Sequence, residues 1–173
     1  MRFAHIADVH LGRKNETPEL YEGFLNFIDY LELNPVDMIF ITGDLFDHIP
    51  SAEDLAVVDT ELARLADTDI VYVTGECDCL ERECALWNYE FVSRTYLLNC
   101  EEIHNRVKEE DRPTRNAYAE GIVDSLYFEK YNLHFFISVP LQWFFLHLLQ
   151  LIITPCPPML WGPNTLPHNR ACF

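Results

Sequence analysis

Three short stretches of mainly apolar residues dominate the first half of the chain, at residues 2–7, 38–42 and 70–74. Uninterrupted apolar runs such as the second and third are typical of strands covered on both faces, as in a parallel sheet between other layers. Two longer segments with helical spacing separate the three stretches. This order predicts an α/β fold that starts with parallel strands in a β-α-β-α-β arrangement with right-handed crossovers.

Both predicted helices begin with recognisable start signals. The first starts at Thr17-Pro18-Glu19, which supplies a cap, a proline at the first helical position and an acid near the helix N-terminus. The second starts at Ser51, with Asp54 three residues later. Their apolar positions are Leu20, Phe24, Phe27, Ile28 and Leu31 in the first helix and Leu55, Val58, Leu62 and Leu65 in the second. Each helix therefore has one apolar face that can pack on the sheet.

Side chains that can bind metal follow the end of each predicted strand. They are Asp8 and His10 after the first stretch, Asp44 after the second, and Glu76 and Asp78 after the third. Because parallel strands end along one edge of a sheet, we expect these five side chains to face a common crevice. Carboxylate and imidazole ligands suit Mn²⁺, Fe²⁺ or Zn²⁺. A single carboxylate such as Asp44 can bridge two ions that together hold a phosphate and activate water.

The patterns in the second half of the chain are weaker. Residues 85–98 favour a helix, residues 99–116 are charged and expected to be exposed, and residues 121–128 are expected to include a strand. We predict a domain over residues 1–133 and an apolar, proline-rich tail of uncertain structure over residues 134–173.

Residues 133–153, nearly all of which lie in this tail, form an apolar stretch close to the ~20 residues that a membrane-spanning helix needs. His134, Pro140 and Gln142 interrupt it, and no basic cluster lies beside it, so a membrane span is not expected. No charged residue lies between Tyr131 and Asn169. This abrupt loss of charge is more typical of a foreign or out-of-frame end than of a functional element.

The composition restricts the possible partners and the compartment. The 173 residues include 28 acidic and only 12 basic ones, for a formal net charge of −16. Such a chain lacks the broad basic surface that drives non-specific DNA binding, although nucleic acid could still be held by a metal centre or a partner subunit. The start of the chain does not resemble a signal peptide, and the six cysteines fit reduced thiols in the cytoplasm.

Three blocks of the sequence resemble those of one enzyme family. They are Asp8-Val9-His10, Gly43-Asp44-Leu45-Phe46-Asp47 and Gly75-Glu76-Cys77-Asp78. They are similar to the Asp-x-His, Gly-Asp-x-x-Asp and Gly-Asn-His-Asp blocks of the calcineurin-like metallophosphoesterases. Residues 1–12 and the second block most resemble the SbcD-type DNA repair exonuclease branch.

The resemblance implies a layered metallophosphoesterase fold and a dinuclear centre, in which Asp8 and His10 bind one metal and Asp44 bridges to a second. It further implies Mn²⁺ as the ion, DNA phosphodiesters as substrate and an SbcC-type ATPase as partner. Glu76 stands where the family has an asparagine ligand, and it can still donate oxygen. Cys77 stands where the family has the histidine that protonates the leaving group, and a thiol is a poor acid there. The family's downstream Gly-His-x-His block is absent from this sequence.

Two other functions remain open at this point. A truncated, catalytically impaired homologue would bind at most one ion, through Asp8, His10 and Asp44. A receiver-like domain would use Asp44 as a phosphoacceptor, although no lysine at a later strand end supports it. The cysteines at 77, 79 and 84 lack a paired Cys-x-x-Cys, so we expect unligated thiols rather than a zinc site.

Overall fold

The computed structural model of the protein describes residues 1–14, 17–79, 84–98, 103–115, 122–138 and 150–155. Within these residues the strands form two four-stranded sheets. The first sheet carries the predicted site, and the second packs against one face of it.

The first sheet is entirely parallel, as the sequence predicts. Its strands are β1 (Phe3–Ala7), β2 (Met38–Thr42), β3 (Asp69–Val73) and β4 (Thr95–Leu97), in that order across the sheet. Helix α1 (Thr17–Leu33) connects β1 to β2, and helix α2 (Ala52–Leu62) connects β2 to β3. The predicted α/β fold with a β-α-β-α-β start is therefore confirmed.

The alternation of side chains along β2 and β3 produces two cores. Ile39, Ile41, Ile70 and Tyr72 point to one side, where they pack with buried residues of α1 and α2 such as Ile28. The residues between them point to the other side. They are Met38, Phe40, Val71 and Val73, and they pack with residues of the second sheet. Because both faces are covered, residues 38–41 and 70–73 are apolar or aromatic, and each large apolar side chain contributes about 1.5–3 kcal/mol on burial.

The second sheet is antiparallel and contains strands β5 (Thr114–Arg115), β6 (Ile122–Phe128), β7 (Leu133–Ser138) and β8 (Gln150–Pro155). The strand expected in residues 121–128 is thus present as β6. Strand β7 runs across the predicted boundary between residues 133 and 134, and β8 lies within the predicted tail. Residues 139–149 and 156–173 lie outside the described residues, and the division into domain and tail stays a prediction. None of the helices that the structure describes is long and apolar enough to cross a membrane.

The helix predicted over residues 85–98 is wrong. This segment contains a short 3₁₀ helix, Ala85–Asn88, followed by an irregular stretch and strand β4. The buried Asp59 of α2 explains the irregular stretch, because its carboxylate accepts hydrogen bonds from the backbone N–H groups of Val92 (2.7 Å) and Ser93 (3.0 Å). Those donors are thereby satisfied from outside the segment, and a helical hydrogen-bond pattern is not needed.

The expectation that residues 99–116 are exposed is also wrong in part. Asn105 and Val107 are buried, and the Asn105 side chain donates a hydrogen bond to the Thr95 carbonyl at 2.8 Å. This contact places part of a charged segment against the end of the first sheet. Backbone hydrogen bonds between Phe91 and the segment add to this contact, at 2.8 Å to the His104 carbonyl and 3.0 Å from the Arg106 N–H.

We expect Asp59→Ala to lower the free energy of unfolding by about 1–3 kcal/mol, because it leaves a buried N–H group without an acceptor. Urea denaturation would measure the change. Asp67→Ala is the matched control, since Asp67 is exposed and surface substitutions usually stay within about 0.5 kcal/mol. Equal stabilities of the two variants would contradict this role of Asp59.

Candidate metal centre

The ends of β1, β2 and β3 lie side by side and lead into the three blocks singled out in the sequence. After β1 the chain turns through Asp8 and His10, both in the left-handed region with φ of 49° and 54°. After β2 it turns through Gly43, with φ of 86°. Left-handed conformations cost non-glycine residues about 1–2 kcal/mol and concentrate at functional sites. The backbone strain thus coincides with the predicted site.

Backbone hydrogen bonds join the first two loops. His10 N–H donates to the Asp44 carbonyl at 3.1 Å, and Leu11 N–H donates to the Leu45 carbonyl at 2.9 Å. Asp47 N–H donates in return to the Leu11 carbonyl at 2.9 Å. His10 and Asp44 are therefore held next to each other by their own main chains.

Asp78 joins the second loop to the third. Its side chain is fully buried and accepts hydrogen bonds from the backbone N–H groups of Phe46 (2.7 Å), Leu45 (3.2 Å) and Gly75 (3.0 Å). Burial raises the pKa of this carboxyl, while the three backbone donors oppose the rise. The expectation that Asp78 faces the crevice is wrong: it lies beneath the crevice and supports it, because three converging donors stabilise it there.

Two glycines allow the carboxylates to approach the backbone closely. A Cβ atom at Gly75 would collide with Asp44 Oδ1, and a Cβ atom at Gly43 would lie only 2.7 Å from Asp8 Oδ1. Any other residue at Gly75 would have to displace the Asp44 side chain or its loop. Both glycines of the resembling blocks thus have a steric reason to be glycine.

Three potential ligands come together at this edge. One ligand atom each from His10, Asp44 and Cys77 lies within 4.8 Å of the others. Cys77 N–H donates to Asp44 Oδ1 at 2.9 Å. The Cys77 thiol also hydrogen-bonds to Asp44, and this bond, burial and the nearby carboxylates raise the pKa of Cys77 to about 11. Without a cation the thiol therefore stays protonated at neutral pH.

His10 lies against a second carboxylate. Its Nδ1 atom is 3.0 Å from Asp47 Oδ1, close enough for an ion pair when the ring is protonated. The same atom is buried and makes no well-aligned hydrogen bond. The contact is therefore electrostatic rather than a hydrogen bond as it stands. A carboxylate beside one ring nitrogen of a histidine is the arrangement that orients metal-binding imidazoles in proteins.

Two of the four predicted metal ligands belong to this three-residue group, and the other two lie outside it. His10 and Asp44 belong to the three-residue group, whereas Asp8 and Glu76 are exposed and lie outside it. All four remain predictions as metal ligands. Cys77, which the family resemblance places at the position of a proton donor, is the third member of the group. The mixture of nitrogen, oxygen and sulfur donors within 4.8 Å of one another fits a divalent metal ion.

Two further thiols lie close to this loop but outside the group. The Sγ atoms of Cys79 and Cys84 are 2.8 Å apart and are not joined in a disulfide. Cys84 is buried and Cys79 is half-buried. These thiols contact each other and do not belong to the group of His10, Asp44 and Cys77, so they must be distinguished from Cys77 in any experiment on the site.

The chain belongs to the calcineurin-like phosphoesterase family, whose sequence profile matches residues 1–147. It is similar to the DNA double-strand break repair protein Mre11 of Methanopyrus kandleri, with 29% identity over 126 residues that cover 68% of this chain and 27% of the relative. The Mre11 protein of Sulfolobus acidocaldarius is 30% identical over 121 residues, which cover 64% of this chain and 31% of the relative.

A third Mre11 relative, from Saccharolobus solfataricus, is 28% identical over 106 residues, covering 57% of this chain and 28% of the relative. The chain thus spans about three tenths of the length of the curated relatives it matches. The family that the three sequence blocks resemble is confirmed. The three relatives are all named as DNA double-strand break repair proteins.

We expect Gly75→Ala to lower the free energy of unfolding by about 1–3 kcal/mol, because the added methyl group overpacks a site that Asp44 already fills. Urea denaturation would measure the change. Gly23→Ala is the matched control, since Gly23 lies in α1 and an added Cβ atom meets nothing within 4 Å. That control should gain about 0.5–1 kcal/mol. A harmless Gly75→Ala would mean that Asp44 does not lie where the structure has it.

Proposed function

We propose that the chain is a metal-dependent phosphoesterase that hydrolyses DNA phosphodiesters. The observation that carries the proposal is the convergence of His10, Asp44 and Cys77 at the strand edge of a calcineurin-like phosphoesterase. A divalent ion bound there would polarise the phosphoryl group and lower the pKa of a coordinated water. Mn²⁺ is the ion we propose to test first, with Fe²⁺ and Zn²⁺ as alternatives.

We propose Asp8, His10, Asp44 and Glu76 as metal ligands, with Asp44 bridging where two ions bind. Asp8 and Glu76 are exposed, so their carboxylates are accessible from solvent. This chain's residues would bind and orient the ions, while Asp47 would hold the His10 ring in place through its contact at Nδ1.

The substrate proposal draws on the relatives, which are named for DNA double-strand break repair. A net charge of −16 opposes contact with a polyanion over a broad surface. DNA would therefore have to be drawn mainly to the metal centre or to a partner. We propose an SbcC-type ATPase as that partner and the cytoplasm as the compartment.

A second candidate is an impaired homologue that binds a single ion. The Cys77 thiol supports it, because a group with a pKa of about 11 donates a proton to a leaving group poorly at neutral pH. The number of ions bound distinguishes the two candidates. About two ions per chain together with turnover would contradict the impaired homologue, and a single ion without turnover would contradict the enzyme.

We expect Asp44→Asn to reduce hydrolysis of bis-p-nitrophenyl phosphate with Mn²⁺ by roughly a hundredfold or more, because it removes a charge that would stabilise the ion and hence the transition state. Release of nitrophenol and Mn²⁺ binding by calorimetry should fall together. Asp67→Asn, an exposed acid outside the three loops, should match the wild type in both. If wild type and Asp44→Asn hydrolyse equally, Asp44 is not part of the site.

We expect Asp47→Asn to weaken Mn²⁺ binding by about 10–100-fold, the usual effect of removing a carboxylate that orients a metal-binding histidine. The physical reason is the contact between Asp47 and His10 Nδ1. Calorimetric titration would measure the affinity, and Asp67→Asn again serves as the control. Unchanged affinity would show that the contact does not orient His10 for binding.

A further inference from the structure

Cys77 adds a sulfur ligand to this edge of the sheet. The other candidate ligands offer only carboxylate oxygen and imidazole nitrogen. Its Sγ atom lies within 4.8 Å of ligand atoms of both His10 and Asp44. Acids on the surface often lie near each other without binding an ion. A thiol that shares one small space with an imidazole and a carboxylate is a more specific arrangement, because zinc accepts each of these three groups as a ligand.

The structure holds Cys77 and Asp44 as one unit. Cys77 N–H donates to Asp44 Oδ1 at 2.9 Å, and the missing Cβ of Gly75 lets the Asp44 carboxylate lie directly against the third loop. Asp78 then fixes both loops from below through Leu45, Phe46 and Gly75. These hydrogen bonds hold the Cys77 main chain against the Asp44 carboxylate, so the two loops that carry the sulfur and the carboxylate are already together before an ion binds.

His10 completes the arrangement from the first loop. Its backbone N–H donates to the Asp44 carbonyl at 3.1 Å, so the main chain of the first loop lies directly beside Asp44. The Cys77 Sγ atom and an Asp44 carboxylate oxygen lie within 4.8 Å of each other and of a ring nitrogen of His10. A cation in the same space would interact favourably with both groups and with the nearby Asp47.

We propose that Cys77 binds the metal ion directly as a thiolate, which gives the site a preference for thiophilic ions such as Zn²⁺ over Mn²⁺. On binding, the S–H bond breaks, a metal–sulfur bond forms and the proton leaves to solvent. This inference rests on the proposed function in needing a metal at this edge. It differs by naming sulfur as a ligand, whereas the sequence placed Cys77 at the position of a proton donor.

The test is titration of the whole protein with Co²⁺ under a reductant that contains no thiol. A thiolate bound to Co²⁺ gives an intense charge-transfer absorption in the near ultraviolet, which oxygen and nitrogen ligands do not give. We expect the band in the wild type. It should disappear in Cys77→Ser and in Cys77→His, with circular dichroism confirming that each variant is folded.

Cys79→Ser is the matched control, because Cys79 is also a half-buried thiol two residues away but lies outside the group with His10 and Asp44. It should keep the band. Calorimetry adds a second measurement: the ratio of Zn²⁺ to Mn²⁺ affinity should fall roughly tenfold or more in Cys77→Ser, equivalent to about 1.4 kcal/mol, and stay unchanged in Cys79→Ser.

The possible results separate this inference from the proposed function. If the wild type binds Co²⁺ and hydrolyses the phosphodiester without the band, Cys77 is not a ligand and the proposed function stands. A band that persists in Cys77→Ser but disappears in Cys79→Ser would assign the sulfur to the Cys79–Cys84 pair and overturn the inference. If the wild type binds neither Co²⁺, Zn²⁺ nor Mn²⁺, both proposals fail.

Discussion

The three backbone hydrogen bonds accepted by the buried Asp78 carboxylate are the interaction on which the site depends. They join Leu45 and Phe46 of the second loop to Gly75 of the third. A fully buried carboxylate is unfavourable without donors, and burial does raise its pKa. The donors offset this only while both loops keep their positions. The loop positions that stabilise the buried Asp78 carboxylate are therefore the same positions that bring Asp44 and Cys77 together.

The charge of the chain makes that geometry useful for a cation. Asp44 and Asp47 lie near the Cys77 thiol, and their negative charges raise its pKa. The same charges that keep a proton on sulfur would stabilise a divalent ion in its place. A strongly acidic protein can in this way gain affinity for a phosphodiester locally, through the ion, while its remaining surface repels the polyanion.

The sequence predicts most of what depends on local patterns. Apolar runs were enough for β2 and β3, because strands buried on both faces have a strong local signature. The apolar stretch at residues 2–7 and the two helix start signals were enough for β1, α1 and α2. The helix expected over residues 85–98 failed because the conformation there depends on Asp59, more than 25 residues earlier, and on pairing of β4 with β3. The hydrophobic pattern within residues 85–98 cannot indicate these contacts with distant residues.

The residues of the candidate site also fall into those that the sequence predicts and those that it does not. His10 and Asp44 follow from their positions at strand ends, since parallel strands bring those ends together. The burial of Asp78 and the presence of Cys77 beside His10 and Asp44 do not follow, because both depend on how three loops pack. Gly75 could have been a signal: a glycine directly after a strand often marks a close approach of other atoms to the backbone. Here the atom that approaches is Asp44 Oδ1.

The apolar character of the chain beyond residue 130 has a structural explanation as far as it is described. Leu133 and Phe135 of β7 are buried in the core shared by the two sheets. Phe135 lies 5.3 Å, between ring centroids, from Phe40 in β2, the strand that leads into Asp44. A residue placed by the sequence in a tail of uncertain structure thus packs against the strand that carries the site. Leu133 and Phe135 thus serve the same core that positions the candidate metal ligands, and this packing accounts for the apolar character of these two residues.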